Sequence, residues 1–159
     1  MKKLKPFIFI SCLCCFILAF SACGKEIIPP SPTKIIMEIK TSATINPDIK
    51  KIPSPLVVRF YQLKSQTRFN EADFISIYAN DKQVLGEDLV HRQEVLLSPS
   101  DHKYINFETE ESVKYISCLA TFRQHNQGRW RASVKVEEHK TTTILISISG
   151  TNIEMTRKP

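Results

Sequence analysis

Glycine is scarce in this chain, with four residues in 159. No glycine-rich phosphate loop can be drawn from so few, and no G-x-S-x-G turn is present to lift a nucleophilic serine. Zinc chemistry lacks its spacing as well. His91, His102, His125 and His139 are scattered along the sequence, with neither the i, i+4 pairing of a helical metal site nor a cysteine motif beside them. Charge of one sign is equally sparse: there is no block of like charges and no basic stripe interleaved with aromatics, the footprint that nucleic-acid binding would leave. The formal charge of +6 falls to +3 once Lys2, Lys3 and Lys5 are set aside, because 19 basic residues then face 16 acidic ones. The sequence therefore predicts no catalytic residue, no metal ligand, no cofactor and no nucleic-acid partner.

Cysteine looks abundant and is not. Three of the five, Cys12, Cys14 and Cys15, lie inside FIFISCLCCFILAF (Phe7 to Phe20), which follows the three early lysines. Fourteen apolar-leaning residues are too few to cross a hydrocarbon core, for which roughly 20 are needed. The run reads as the h-region of a signal peptide over residues 1–22, removed together with its cysteines. Cys23 and Cys118 remain. A bridge between them is disfavoured, since one precedes a proline-rich stretch and the other sits inside a strand pattern. The order Phe20-Ser21-Ala22-Cys23 instead resembles the bacterial lipobox, in which the cysteine is lipidated and becomes the first residue. Each buried methylene of an acyl chain contributes about 0.8 kcal/mol, so several chains together anchor firmly. Cys23 is thus expected to carry the covalent lipid. Gly24 in place of an aspartate favours delivery to the outer membrane, with the remainder facing the periplasm.

After the anchor, GKEIIPPSPT (Gly24 to Thr33) holds three prolines, which deny it a helix and favour an extended spacer reaching some 30 Å at about 3.1 Å per residue. Residues 23–33 form the tether, and 34–159 are left for one compact domain with a genuine core.

Within that domain the period is two. Ile35, Met37 and Ile39 share one face of KIIMEIKT (Lys34 to Thr41); Trp130, Ala132, Val134 and Val136 share one face of RWRASVKVE, which places Arg129 and Arg131 in solvent; Ile144, Ile146 and Ile148 share one face of TTILISISG. Ile116, Cys118, Ala120 and Phe122 align in KYISCLATF. Further strands are expected over 56–63, 90–97 and 103–108, with an eighth over 153–156. Short polar turns join them, so an all-β antiparallel sandwich is predicted. One segment breaks the period: NEADFISIYAN (Asn70 to Asn80) places Phe74, Ile77 and Tyr78 at helical spacing behind a capping pair of Asn70 and Asp73, predicting one short inserted helix.

Three consecutive segments, SPLVVRFYQL (Ser54 to Leu63), FNEADFISIY (Phe69 to Tyr78) and VLGEDLVHRQEVLLSPSD (Val84 to Asp101), together resemble the outer-membrane lipoprotein of the type VI secretion system, the TssJ family also called VasD or SciN. CLATFRQ (Cys118 to Gln124) and RWRASVKV (Arg129 to Val136) are similar to a further pair of family segments. With the lipobox, the resemblance covers nearly the whole chain. It implies a transthyretin-like two-sheet sandwich that acts as a scaffold and performs no chemistry. It also implies a partner, the periplasmic C-terminal region of the inner-membrane TssM (IcmF-type) protein, within a complex of TssJ, TssL and TssM.

The family's contact surface includes the loop between the first two strands, which here is ATINPDIKKIPS (Ala43 to Ser54). The partner-binding residues implied are Ile45, Asn46, Pro47, Asp48, Ile49, Lys50, Lys51 and Ile52. Composition agrees independently: Asn46-Pro47-Asp48 and Pro53-Ser54-Pro55 punctuate both ends, and three isoleucines stand in a polar segment. Exposed on a proline-stiffened loop, they would dock with little loss of conformational entropy; the alternative is that they pin the loop to its own domain. The rival function is a lipid-anchored periplasmic carrier of a small ligand or peptide, which would need a large apolar pocket in or beside the sandwich.

Overall fold

Each of the alternating stretches becomes a strand in the computed structural model, which describes residues 31–158; Cys23, the signal segment and most of the tether lie outside them. The strands are β1 (Thr33–Thr41), β2 (Leu56–Leu63), β3 (Leu89–Leu97), β4 (His102–Thr109), β5 (Tyr115–Ala120), β6 (Arg131–Lys135), β7 (Thr141–Ser149) and β8 (Asn152–Arg157). They form two four-stranded sheets, ordered β4-β1-β7-β8 and β3-β2-β5-β6. Period-two burial explains the packing. Ile35, Met37, Ile39, Ile144, Ile146 and Ile148 from one sheet meet Leu56, Val58, Phe60, Ile116, Cys118 and Ala120 from the other, all buried. Burying each isoleucine contributes about 1.5–3 kcal/mol, so this layer dominates the stability.

One strand pair differs from the antiparallel expectation: β1 and β7 run parallel, in register from Lys34↔Thr141 to Thr41↔Ile148. The chain changes sheets at the ends of the sandwich, between β1 and β2, β3 and β4, β4 and β5, and β6 and β7. Every passage reverses direction, and both β1 and β7 are odd-numbered passages that meet at the centre of one sheet.

The helical insertion is two helices rather than one. Helix α1 (Thr67–Glu71) and helix α2 (Phe74–Leu85) are separated by an extended Ala72. Asp73 caps α2, its carboxylate accepting the Ser76 N–H at 2.9 Å and the Ser76 hydroxyl at 2.6 Å. Asn70 is no partner in that cap, because it belongs to the last turn of α1. The pair covers the outer face of the second sheet. Phe69, Ile77 and Leu85 bury themselves against Tyr61, Leu63 and Leu119, a second core outside the sandwich.

This second core corrects the reading of RWRASVKVE. Trp130 is half-buried just before β6 and touches both cores, its ring meeting the edge of Phe74 at 5.3 Å between centroids. Arg129 is exposed as expected, but Arg131 is not a solvent residue. Its Nη1 donates to Phe69 O at 3.0 Å and Ala72 O at 2.7 Å, and the guanidinium lies over the Trp130 ring. The carbonyls that end α1 lack intrahelical partners, and a guanidinium supplies them.

Candidate partner-binding loop

The connection from β1 to β2 is built in two parts, a buried base and a projecting tip. At the base Ile45 is fully buried within the sandwich core, and Asn46 is buried beside it. Asn46 satisfies both ends of its amide: Nδ2 donates to Pro55 O at 2.8 Å, and Oδ1 accepts the Arg123 N–H at 2.9 Å. Its backbone N–H donates to Gly150 O at 2.8 Å. The φ of +48° at Asn46 lies in the left-handed region, which asparagine tolerates better than most residues. Ile45 and Asn46 therefore pin the loop to its own domain, correcting the expectation of three exposed isoleucines at the first of them.

The tip is held differently. Asp48 Oδ1 accepts the N–H groups of Lys50 at 2.8 Å and Ile52 at 2.9 Å. The Asp48 N–H donates to Ile52 O at 3.0 Å, and the Lys51 N–H to Asp48 O at 2.9 Å. Four hydrogen bonds thus close five residues into a turn in which Lys51 adopts a φ of +64°. An aspartate whose side chain satisfies nearby backbone donors is the ordinary device for such turns. The consequence is that Ile49 stands 91% exposed and Ile52 56% exposed on a fixed backbone. Gln124 braces the other side, donating to Pro47 O at 3.1 Å. Beside the tip lies an open groove of about 540 Å³ bordered by Pro47, Ile49, Lys51, Gln124 and Gln127.

The histidines do not gather. His102 Nε2 lies 3.0 Å from Glu38 on the outer face of the first sheet, His125 stacks on Phe74, His139 Nδ1 lies 3.0 Å from Ser31 O, and His91 is exposed on β3. Cys118 is buried between the sheets, and that burial pushes its thiol up to about 12, far from a reactive thiolate.

One polar cluster escaped the sequence reading. Asp81 on α2 is buried and receives Arg92 Nη1 at 2.9 and 3.1 Å, the Tyr61 hydroxyl at 3.0 Å and Arg59 Nη1 at 3.3 Å. Arg59 also donates to Tyr78 O at 2.7 Å and to Glu94 at 2.8 Å. Burial alone would raise the Asp81 carboxyl, but Arg92, Tyr61 and Arg59 outweigh it and hold it below the usual carboxylate range. The cluster fastens α2 to β2 and β3. A signal for it exists: Ile77, Asp81 and Leu85 recur every four residues, so Asp81 is an acid on the apolar stripe, a position that requires partners.

Two filled sheets, a helical cover on one of them and a braced projecting loop define a β-sandwich that presents a surface. Residues 33–151 match the family described as "Type VI secretion lipoprotein, VasD, EvfM, TssJ". The chain belongs to that family. It is similar to the crystal structure of the type VI lipoprotein TssJ1 of Pseudomonas aeruginosa, with 27% identity over 80% of this chain and 98% of that one and a TM-score of 0.77. A chain of a structure described as a type VI membrane complex is 26% identical, covering 79% of this chain and 98% of that one with a TM-score of 0.67. A structure described as the TssM C-terminal domain from EAEC gives 24% identity, 79% and 98% coverage and a TM-score of 0.63, a likeness of fold. No curated protein matches the sequence.

Proposed function

We propose that this lipoprotein is a scaffold of the type VI membrane complex, held by acyl chains on Cys23 in the outer membrane, facing the periplasm and performing no chemistry. It docks through the tip of the β1–β2 loop onto the periplasmic C-terminal region of TssM. The observation that carries this reading is the placement of the tip. The described chain enters at Ser31, beside the start of β1, and the loop leaves the far end of the same strand. Nine residues of strand separate them by about 25 Å. An anchor at one pole therefore turns the braced Ile49 and Ile52 away from the membrane that holds it. A fixed tip loses little conformational entropy on docking, which is what a loop selected for binding gains from its internal hydrogen bonds.

A carrier would need room for its ligand. The layer between the sheets is instead occupied by the buried side chains of both, which supports the scaffold. The test is titration of the full-length lipoprotein, in non-ionic detergent, with the same organism's TssM periplasmic C-terminal region. Joint Ile49→Ser and Ile52→Ser replacement is expected to weaken binding at least tenfold with the melting temperature unchanged, since loss of an anchoring side chain commonly costs more than about 1 kcal/mol. Unchanged affinity would refute the loop as the docking surface.

A further inference from the structure

We propose that the surface receiving the loop is an apolar depression rimmed by carboxylates, an inference that rests on the loop being the docking site and specifies its partner's chemistry. The tip is apolar at Ile49 and Ile52 and cationic around them. Lys50 and Lys51 lie between the two isoleucines and are both exposed. Arg123 is exposed too, and its backbone is held at the foot of the loop by the N–H bond to Asn46. Among the described residues these three cations have no acidic oxygen within 4.0 Å. Other cations near this pole are paired: Lys40 with Glu38 at 2.7 Å, Lys103 with Asp101 at 3.2 Å and Arg129 with Glu154 at 3.7 Å. The loop's one acid, Asp48, forms no ion pair with them: its Oδ1 accepts two backbone N–H groups, and its single negative charge leaves the three cations a net charge of +2.

The result is a cluster of net positive charge at an apolar tip, in a chain whose net charge without the signal lysines is only +3. Exposed cations of this kind keep most of their hydration when docked, so the cluster gains from facing carboxylates without the desolvation penalty of a buried pair. It also steers encounter and rejects basic surfaces. Anionic lipid headgroups fit less well, because the loop sits at the pole away from the chain's entry.

The experiment measures association and dissociation rates of the full-length lipoprotein with the same TssM region at about 50 and 500 mM salt, where screening is weak and strong respectively. Wild-type association is expected to slow more than about tenfold with salt. Joint Lys50→Glu, Lys51→Glu and Arg123→Glu replacement should weaken affinity by more than about tenfold, mainly through association, with the neutral glutamine triple intermediate and less salt-sensitive. The glutamine triple decides the matter if the reversed variant melts early. Affinity within about twofold of wild type for both triples, with Ile49→Ser still weakened, would overturn the carboxylate rim and leave the loop in place. If Ile49→Ser and both triples all bind as wild type, the loop reading falls and this inference with it.

Discussion

Asn46 and Arg123, 77 residues apart in sequence, are joined by a 2.9 Å bond from the Arg123 N–H to the Asn46 side-chain oxygen. The bond ties the foot of the β1–β2 loop to the turn that follows β5, and it separates the loop's buried base from its exposed tip. Asn46→Ala strands the Pro55 carbonyl and the Arg123 N–H and places alanine at a left-handed φ. A loss of about 3 kcal/mol is expected, or roughly 10 °C of melting temperature. Asn46→Asp keeps one acceptor and should fall between. Calorimetric melting checks both, and a native melting temperature for Asn46→Ala would remove the base from the account.

Ile45→Ser belongs with that variant and not with the tip. Its side chain is fully buried in the core, so serine should cost about 3 kcal/mol as a large-to-small change carrying an unpaired hydroxyl. Ile49→Ser, three positions from Asn46 and open to water, should leave the melting temperature within a degree or two. Denaturant unfolding of the two variants side by side reads the difference directly.

Asp48 acts on the tip through its shape. Asp48→Asn preserves the oxygen that accepts from Lys50 and Ile52 and should bind the partner almost as wild type. Asp48→Ala removes it and should weaken binding several-fold with little change in global stability, because the ordering of the tip must then be supplied on docking. Equal binding by Asp48→Ala and wild type would mean that the braced turn is incidental.

The buried Asp81 predicts an acid limb in the stability curve. Its carboxyl lies below the ordinary value of about 3.9, so its contribution is fully present above that pH and is lost as pH falls through the lower folded-state value. Glu38, held at about 2 by Lys40 and then His102, adds a limb of the same sign. Asp81→Ala leaves Arg59, Arg92 and the Tyr61 hydroxyl facing a gap and should cost about 3–5 kcal/mol at neutral pH. Unfolding between pH 2 and 7 should be less steep in Asp81→Asn, and an unchanged slope would contradict the assignment.

How far the sequence could be read depended on whether a residue's neighbours were local. In β1 and β7 alternation named the core isoleucines one by one, because period-two burial is written along both strands; β3, β5 and β6 do not keep that period, since sheet edges and the helical cover change which faces are buried. Alternation could not show that β1 and β7 pair in parallel, since pairing between strands some hundred residues apart leaves no local trace. The break at Ala72 was hidden by the helical spacing of Phe74, Ile77 and Tyr78, which reports a face and not a start. Arg131 looked like a solvent residue by alternation; only the helix laid across its sheet turned it into a cap. In the loop, Ile45 and Ile49 read alike, because exposure there is decided by Asn46 reaching to Arg123 and by Asp48 closing the tip. The Cys23 anchor rests on the sequence alone, and its expected outcome is simple: Cys23→Ser should move the protein from the membrane fraction to the soluble periplasm in a strain lacking TssM.

The central claim, that the braced tip is what touches the partner, is tested most directly in living cells. A photo-reactive amino acid in place of Ile49, with a second variant carrying it at Glu108 near the opposite pole, would be irradiated in cells assembling the complex. The account predicts an adduct of the Ile49 variant with TssM and none from Glu108. An adduct with TssM from Glu108 alone would place the interface at the wrong end of the sandwich and contradict it.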